Sequence, residues 1–120
     1  ARQDDRYHTL PYRYGFMLAF GATGPCWTMV DHHTGEKSVY APPPGSVPSE
    51  MCFVPRSKDA PEGDGYLIGI VTRKMEGGRS DLVLVDTRDL AAGPVATIKL
   101  PCRIVGQVHG FWVPGDALPD

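Results

Sequence analysis

Two side chains in this sequence have the type and setting to do chemistry. His109 sits in Val108-His-Gly-Phe-Trp112, an apolar stretch near the end of the chain, and Glu50 sits in Pro48-Ser-Glu-Met-Cys-Phe-Val-Pro55, at the mouth of another. On an extended strand, alternation places His109, Phe111 and Val113 on one face and Val108, Gly110 and Trp112 on the other, and Gly110 leaves room for a backbone or a ligand to approach. A neutral imidazole so placed either satisfies a backbone carbonyl inside a core or presents a ring nitrogen to a metal ion. A carboxylate beside an apolar strand is either exposed at the strand entry or requires a partner. One productive partner is the outer N–H of a metal-bound histidine: accepting that hydrogen fixes the tautomer, aims the other nitrogen at the metal and raises its donor strength. The residues alone leave both pairs of alternatives open.

The other candidates are weaker. Neighbours on an extended chain point in opposite directions, so His32 and His33 do not make a metal pair, and Asp31-His-His-Thr-Gly35 reads as a hairpin turn. His8 belongs to a polar lead-in and is expected in solvent. Glu62-Gly-Asp-Gly65 and Glu76-Gly77-Gly78 also read as turns, since neither precedes a helix whose N-terminus could hold phosphate. There is no Gly-x-Ser-x-Gly and no cysteine paired with a base, which removes any foothold for a hydrolase or a kinase. Cys26, Cys52 and Cys102 are odd in number and widely spaced, against a disulfide framework or a zinc knuckle and in favour of a reducing cytoplasm.

The elements that must position these residues are strands. Gly (14) and Pro (12) punctuate short apolar runs instead of pooling in one linker, the pattern of an all-β chain. Tyr12, Tyr14, Phe16 and Leu18 alternate onto one face, and strands are expected near 12–19, 26–31, 37–40, 51–55, 66–72, 81–86, 94–100 and 108–113. A single helical turn is expected in Thr87-Arg-Asp-Leu-Ala-Ala92, stopped by Gly93-Pro94. An internal echo organises the strands. Val30-Asp31, a turn ending in Gly35, a strand to Tyr40 and then Pro42 is matched by Val85-Asp86, a turn ending in Gly93, a strand to Leu100 and then Pro101. Such a repeat is how a four-stranded β-propeller blade reads, although two unrelated hairpins would look similar. A closed propeller needs about four blades or more, and this chain holds about one and a half to two, so it is expected to be a piece of a larger protein.

Bulk properties exclude several classes. The net charge is −2 and the Lys and Arg residues are scattered, so there is no basic stripe to track a nucleic acid. The longest apolar run, Tyr66-Leu-Ile-Gly-Ile-Val71, is far short of the roughly 20 residues of a transmembrane helix. No signal peptide is visible, and with Ala rather than Met at position 1 the polypeptide is expected to start upstream.

Three stretches together resemble the carotenoid cleavage oxygenase superfamily, and within it the bacterial lignostilbene dioxygenase and isoeugenol oxygenase branch. Glu50-Met-Cys-Phe-Val-Pro-Arg56, running into Asp59-Ala-Pro-Glu-Gly-Asp-Gly-Tyr66, is similar to the family stretch carrying a glutamate that orients a ligand histidine. Ser80-Asp-Leu-Val-Leu-Val-Asp86 and Ala91-Ala-Gly-Pro-Val-Ala-Thr-Ile-Lys-Leu-Pro101 resemble its last outer hairpin, and His109-Gly-Phe-Trp112 resembles its closing His-Gly-x-Trp. Asp4-Asp-Arg-Tyr7 and Tyr12-Arg-Tyr-Gly-Phe-Met17 extend the resemblance over essentially the whole chain. The departures are Met51, where family members often have Pro, and the lead Ile104-Val-Gly-Gln-Val108, where Leu or Arg is common.

The resemblance implies that residues 1–120 are the C-terminal portion of one seven-bladed propeller domain, with His109 as the last of four histidine ligands to Fe(2+) and Glu50 orienting a histidine. It implies an iron(II) dioxygenase that cleaves the double bond of a stilbenoid or phenylpropenoid substrate to aldehydes, with O2, a hydrophobic alkene and the rest of the parent propeller as partners. Four neutral histidines without a carboxylate ligand would leave the iron its full positive charge. The alternatives are an apocarotenoid-cleaving member of the same superfamily and a non-catalytic β-rich binding module. By itself the 120-residue chain is expected not to hold iron tightly.

Overall fold

The computed structural model describes residues 1–119 and contains two antiparallel sheets of four strands. The first runs β1 (Arg2–Gln3), β2 (Tyr14–Gly21), β3 (Gly24–Asp31) and β4 (Lys37–Tyr40). The second runs β5 (Ser46–Pro55), β6 (Gly65–Arg73), β7 (Arg79–Asp86) and β8 (Pro94–Lys99). In each, spatial order follows chain order, as in successive propeller blades. No α-helix occurs among the described residues, only short 3₁₀ turns; one of them, Leu90–Ala92, is the turn expected at 87–92. Asp89 caps it by accepting from the Ala92 amide, and Gly93 ends it at φ 83°.

The echo in the sequence corresponds to the passage from the third to the fourth strand of each sheet. Asp31 ends β3 and Asp86 ends β7, and each does the same two jobs. Asp31 accepts from the amides of His33 and Thr34 and from the guanidinium of Arg13 at 2.6 Å. Asp86 accepts from the Arg88 amide and from Arg56 at 2.7 Å. A short acceptor that binds the backbone two residues on makes a turn, and an arginine from the connection between the first two strands of the sheet locks it. Hydrogen bonds from Arg13 in one case, and from Arg88 and Arg56 in the other, hold both carboxyls well below the usual carboxylate range against the opposing effect of burial.

Between the sheets lies the core: Phe16 and Trp27 from the first, with Tyr40 at its edge, and Met51, Phe53, Leu67, Val71, Val83, Val85 and Leu90 from the second. Phe16 stacks on Phe53 with ring centroids 4.9 Å apart. Each such side chain taken from water contributes roughly 1.5–3 kcal/mol, so the sheets are held face to face mainly by this layer. The alternating face of β2 is only half used. Phe16 is fully buried, whereas Leu18 is 38% and Phe20 83% exposed toward the end of β2.

Seven of the eight expected strands are present; the eighth is a correction. Residues 101–114 form no ladder with any described strand, and Val108 and Phe111 are exposed. Alternation reports which faces side chains take but not whether a neighbouring strand exists to accept the backbone hydrogen bonds. The segment is fastened by side chains instead. Buried Ser80 accepts from the Ile104 amide at 2.9 Å, and Arg2 donates to the carbonyl of Gly110.

Candidate active site

Glu50 owes its direction to an irregularity in β5. Pro48 pairs with Val71 and Met51 with Gly69, so Ser49 and Glu50 together face the single residue Ile70. This is a β-bulge, a device that re-aims a side chain, and Pro48, lacking an N–H, suits the strand there. The bulge is braced from the other sheet. Trp27 donates its indole N–H to the Ser49 carbonyl at 2.8 Å, and its ring lies over Gly69, where a β-carbon would be 2.7 Å from Trp27 Cζ2 and 3.0 Å from the Glu50 carbonyl. Met51 and Phe53 then face the core while Glu50 and Cys52 face the opposite side.

On that side the structure brings together the two residues singled out from the sequence. His109 Nδ1 lies 3.2 Å from Glu50 Oε2. An ionised carboxylate can only accept, so Nδ1 carries the hydrogen, and in the neutral tautomer that this fixes, the lone pair lies on Nε2. The Glu50 side chain is 15% exposed and that of His109 78%. Burial pushes the Glu50 carboxyl up, but the hydrogen bonds from Arg2 and His109 outweigh it and hold the group below its ordinary value. Among the described residues His109 bonds a side chain and not a backbone carbonyl. A cavity of about 220 Å³ adjoins the pair, lined by Cys52, Ile68, Ile70, Leu82 and Trp112 among others.

Sequence reasoning missed Arg2. Its Nη2 is 2.9 Å from Glu50 Oε2 and also donates to the Gly110 carbonyl. The only available signal was that a carboxylate on an apolar strand needs a partner, and a cation answers that need as well as an imidazole does. Expected room at Gly110 is present but unused: a β-carbon there would meet only Cys52 Sγ, at 3.7 Å, among the described residues.

The remaining histidines stay apart from this cavity. His32 sets its ring edge-on to Tyr12 with centroids 5.4 Å apart, His33 is exposed in the Asp31–Gly35 turn, and His8 lies beside Asp5 at 3.5 Å. Cys26, Cys52 and Cys102 are free thiols. Among the described residues no group of three His, Cys, Asp or Glu side chains is placed to hold a metal. The donor set therefore fits one position of a shared site, an imidazole with its outer N–H engaged, and not a complete site. No helix among the described residues is long and apolar enough to cross a membrane.

Residues 1–114 match the family described as RPE65, retinal pigment epithelial membrane protein. The chain is 50% identical to the isoeugenol monooxygenase of Pseudomonas nitroreducens over 70% of its own length and 17% of that relative's. It is 36% identical to lignostilbene-α,β-dioxygenase isozyme III of Sphingomonas paucimobilis over 98% of its length and 27% of the relative's. The crystal structure of Pseudomonas brassicacearum lignostilbene dioxygenase superposes with a TM-score of 0.89 at 35% identity, covering 95% of this chain and 26% of that one. A cobalt-substituted Synechocystis ACO structure superposes with a TM-score of 0.76 at 34% identity, over 87% of this chain and 22% of that one. The chain thus spans about a quarter or less of the length of these proteins.

Proposed function

The chain belongs to the RPE65 family of carotenoid-cleavage-type oxygenases, and on that premise we propose that it forms the C-terminal quarter of a seven-bladed propeller enzyme that cleaves the double bond of stilbenoid or phenylpropenoid substrates with O2 to give aldehydes. The observation that carries this reading is the pair formed by His109 and Glu50, a histidine with its outer N–H engaged by a carboxylate and its other nitrogen free. His109 would hold Fe(2+) together with three histidines contributed by the rest of the propeller. Iron bound there would supply O2 activation and positive charge.

The residues of this chain prepare that site. Glu50 holds the hydrogen on Nδ1, which fixes the tautomer of the neutral imidazole in which Nε2 is the donor atom. Ile68, Ile70, Leu82 and Trp112 supply an apolar wall that favours a hydrophobic alkene and excludes water. The isoeugenol and lignostilbene relatives favour the phenolic substrate class. A second reading, cleavage of apocarotenoids, is supported by 36% identity to the apocarotenoid-15,15'-oxygenase of Synechocystis over 85% of this chain. A cytoplasmic location belongs to the same proposal and agrees with three free thiols.

The test uses a chimera in which these 120 residues replace the matching quarter of the Pseudomonas brassicacearum dioxygenase. Supplied with iron(II) and O2, it is expected to release aldehyde from a 4-hydroxystilbene or isoeugenol faster than from an apocarotenal. Release only from the apocarotenal would transfer the assignment to the second reading, and a folded chimera inactive on all three would sink both.

A further inference from the structure

We propose that Arg2 is a positioning residue for the ligand histidine, acting through Glu50; the inference rests on the reading of His109 given above. Three chain segments meet at one guanidinium. Arg2 is fixed on the first sheet by the pairing of β1 with β2, opposite Phe16. From there Nη2 reaches Glu50 Oε2 at 2.9 Å, on the second sheet, and the carbonyl of Gly110, on the trailing segment. The same Oε2 lies 3.2 Å from His109 Nδ1.

That arrangement answers a mechanical problem. The His109 ring is 78% exposed, its segment belongs to no sheet, and Glu50 is its hydrogen-bond partner among the described residues. Glu50 can orient the ring only if its own carboxylate is held, and Arg2 holds it. The bond to Gly110 fixes the backbone next to His109, so Arg2 sets both ends of the His109 side chain: the main chain it springs from and the carboxylate it points to. Lysine could neutralise Glu50, but its ammonium rotates on a flexible stem, whereas the two hydrogens of Nη2 are fixed in the guanidinium plane toward Glu50 and Gly110. Removing Arg2 has opposed effects. A carboxylate without its cation is a stronger acceptor and would raise imidazole donor strength, while a free Glu50 and a free Gly110 let the ring turn. Glu50 being the one hydrogen-bond partner of the ring among the described residues, loss of orientation dominates.

The experiment titrates the metal-free chimera described above with cobalt(II), following the visible absorption of the bound ion, with circular dichroism confirming that each variant is folded. Outer partners of metal-bound histidines typically contribute 10–100-fold in affinity. Glu50→Gln is expected in that range, Arg2→Gln at its lower end, about 10-fold, and Arg2→Lys at roughly a third of that loss on a logarithmic scale. The double variant Arg2→Gln/Glu50→Gln should lose less than the product of the two single losses, because part of the effect of Arg2 passes through that carboxylate. Cobalt affinity unchanged in Arg2→Gln, or losses that multiply fully in the double variant, would overturn the assignment. Should Arg2→Gln fail to fold, Arg2→Lys decides: affinity equal to the parent's rejects the proposal. His109→Ala separates the two levels of inference. If it binds cobalt as well as the parent does, the ligand reading itself fails; if it loses cobalt while Arg2→Gln does not, only the role of Arg2 fails.

Discussion

Gly69→Ala adds one methyl group at the point where the two sheets and the candidate site are joined, and its cost can be worked from the structure. The new carbon would lie 2.7 Å from Trp27 Cζ2, 3.2 Å from Cη2 and 3.0 Å from the Glu50 carbonyl oxygen. Trp27 is fully buried and tied by its N–H to Ser49, so the ring cannot swing away without breaking a buried hydrogen bond, and the Glu50 oxygen is backbone. Overpacking of this kind costs typically about 1–3 kcal/mol. Against it stands a gain of about 0.4–1 kcal/mol from the less flexible unfolded chain. The net expectation is a loss of roughly 1–2 kcal/mol in urea unfolding, accompanied by faster hydrogen exchange at the Trp27 indole N–H. Stability equal to or above the parent's, with the indole proton as protected as before, would refute the packing of Trp27 against the bulge and with it the account of how Glu50 is aimed.

Other substitutions probe the framework separately. Tyr40 is 3% exposed and among the described residues its hydroxyl has no hydrogen-bond partner of good geometry, so Tyr40→Phe should leave unfolding free energy unchanged or raise it by up to about 1 kcal/mol. Asp81, buried between Arg79 and Arg73, is lowered from 3.8 to about 2, chiefly by the hydrogen bond from Arg79 and further by that from Arg73, with burial opposing. A carboxyl depressed on folding stabilises fully above its unfolded value, and that stabilisation is lost as pH falls through the folded value. Acid unfolding between about pH 4 and pH 2 should therefore carry a contribution on the order of 2 kcal/mol. Asp81→Asn should flatten stability against pH in that window, and an unchanged slope would contradict the pairing. Gly110→Ala should change stability by less than about 0.5 kcal/mol, since among the described residues the methyl meets only Cys52 Sγ at 3.7 Å; a loss several times larger would show that the glycine is needed for close approach after all.

Local chemistry accounts for what was legible in the sequence. Strands β2 to β8 follow from alternation and from Gly and Pro at the turns, and the blade repeat was visible because Asp31 and Asp86 carry the same turn and the same arginine lock. That Glu50 orients a histidine was expected from the family resemblance without saying which one; the structure sets His109 Nδ1 3.2 Å from its Oε2. What stayed hidden depends on partners distant in the chain. Arg2 meets residues 48 and 108 positions away, a separation that leaves no trace in spacing. The bulge moved the start of β5 five residues earlier than expected, because two consecutive residues facing one partner interrupt alternation; Pro48 inside a strand was its one sequence signal. The strand expected at 108–113 failed for the complementary reason: its side chains alternate, yet no described strand lies beside it to complete a ladder.

The central claim is that His109 is a metal ligand of a carotenoid-cleavage-type oxygenase, and the iron content of the purified chimera tests it most directly. With His109 in place, elemental analysis after loading with iron(II) and desalting should find close to stoichiometric iron. In His109→Ala, folded to the same extent, that iron should be lost. Full retention of iron by His109→Ala would contradict the account.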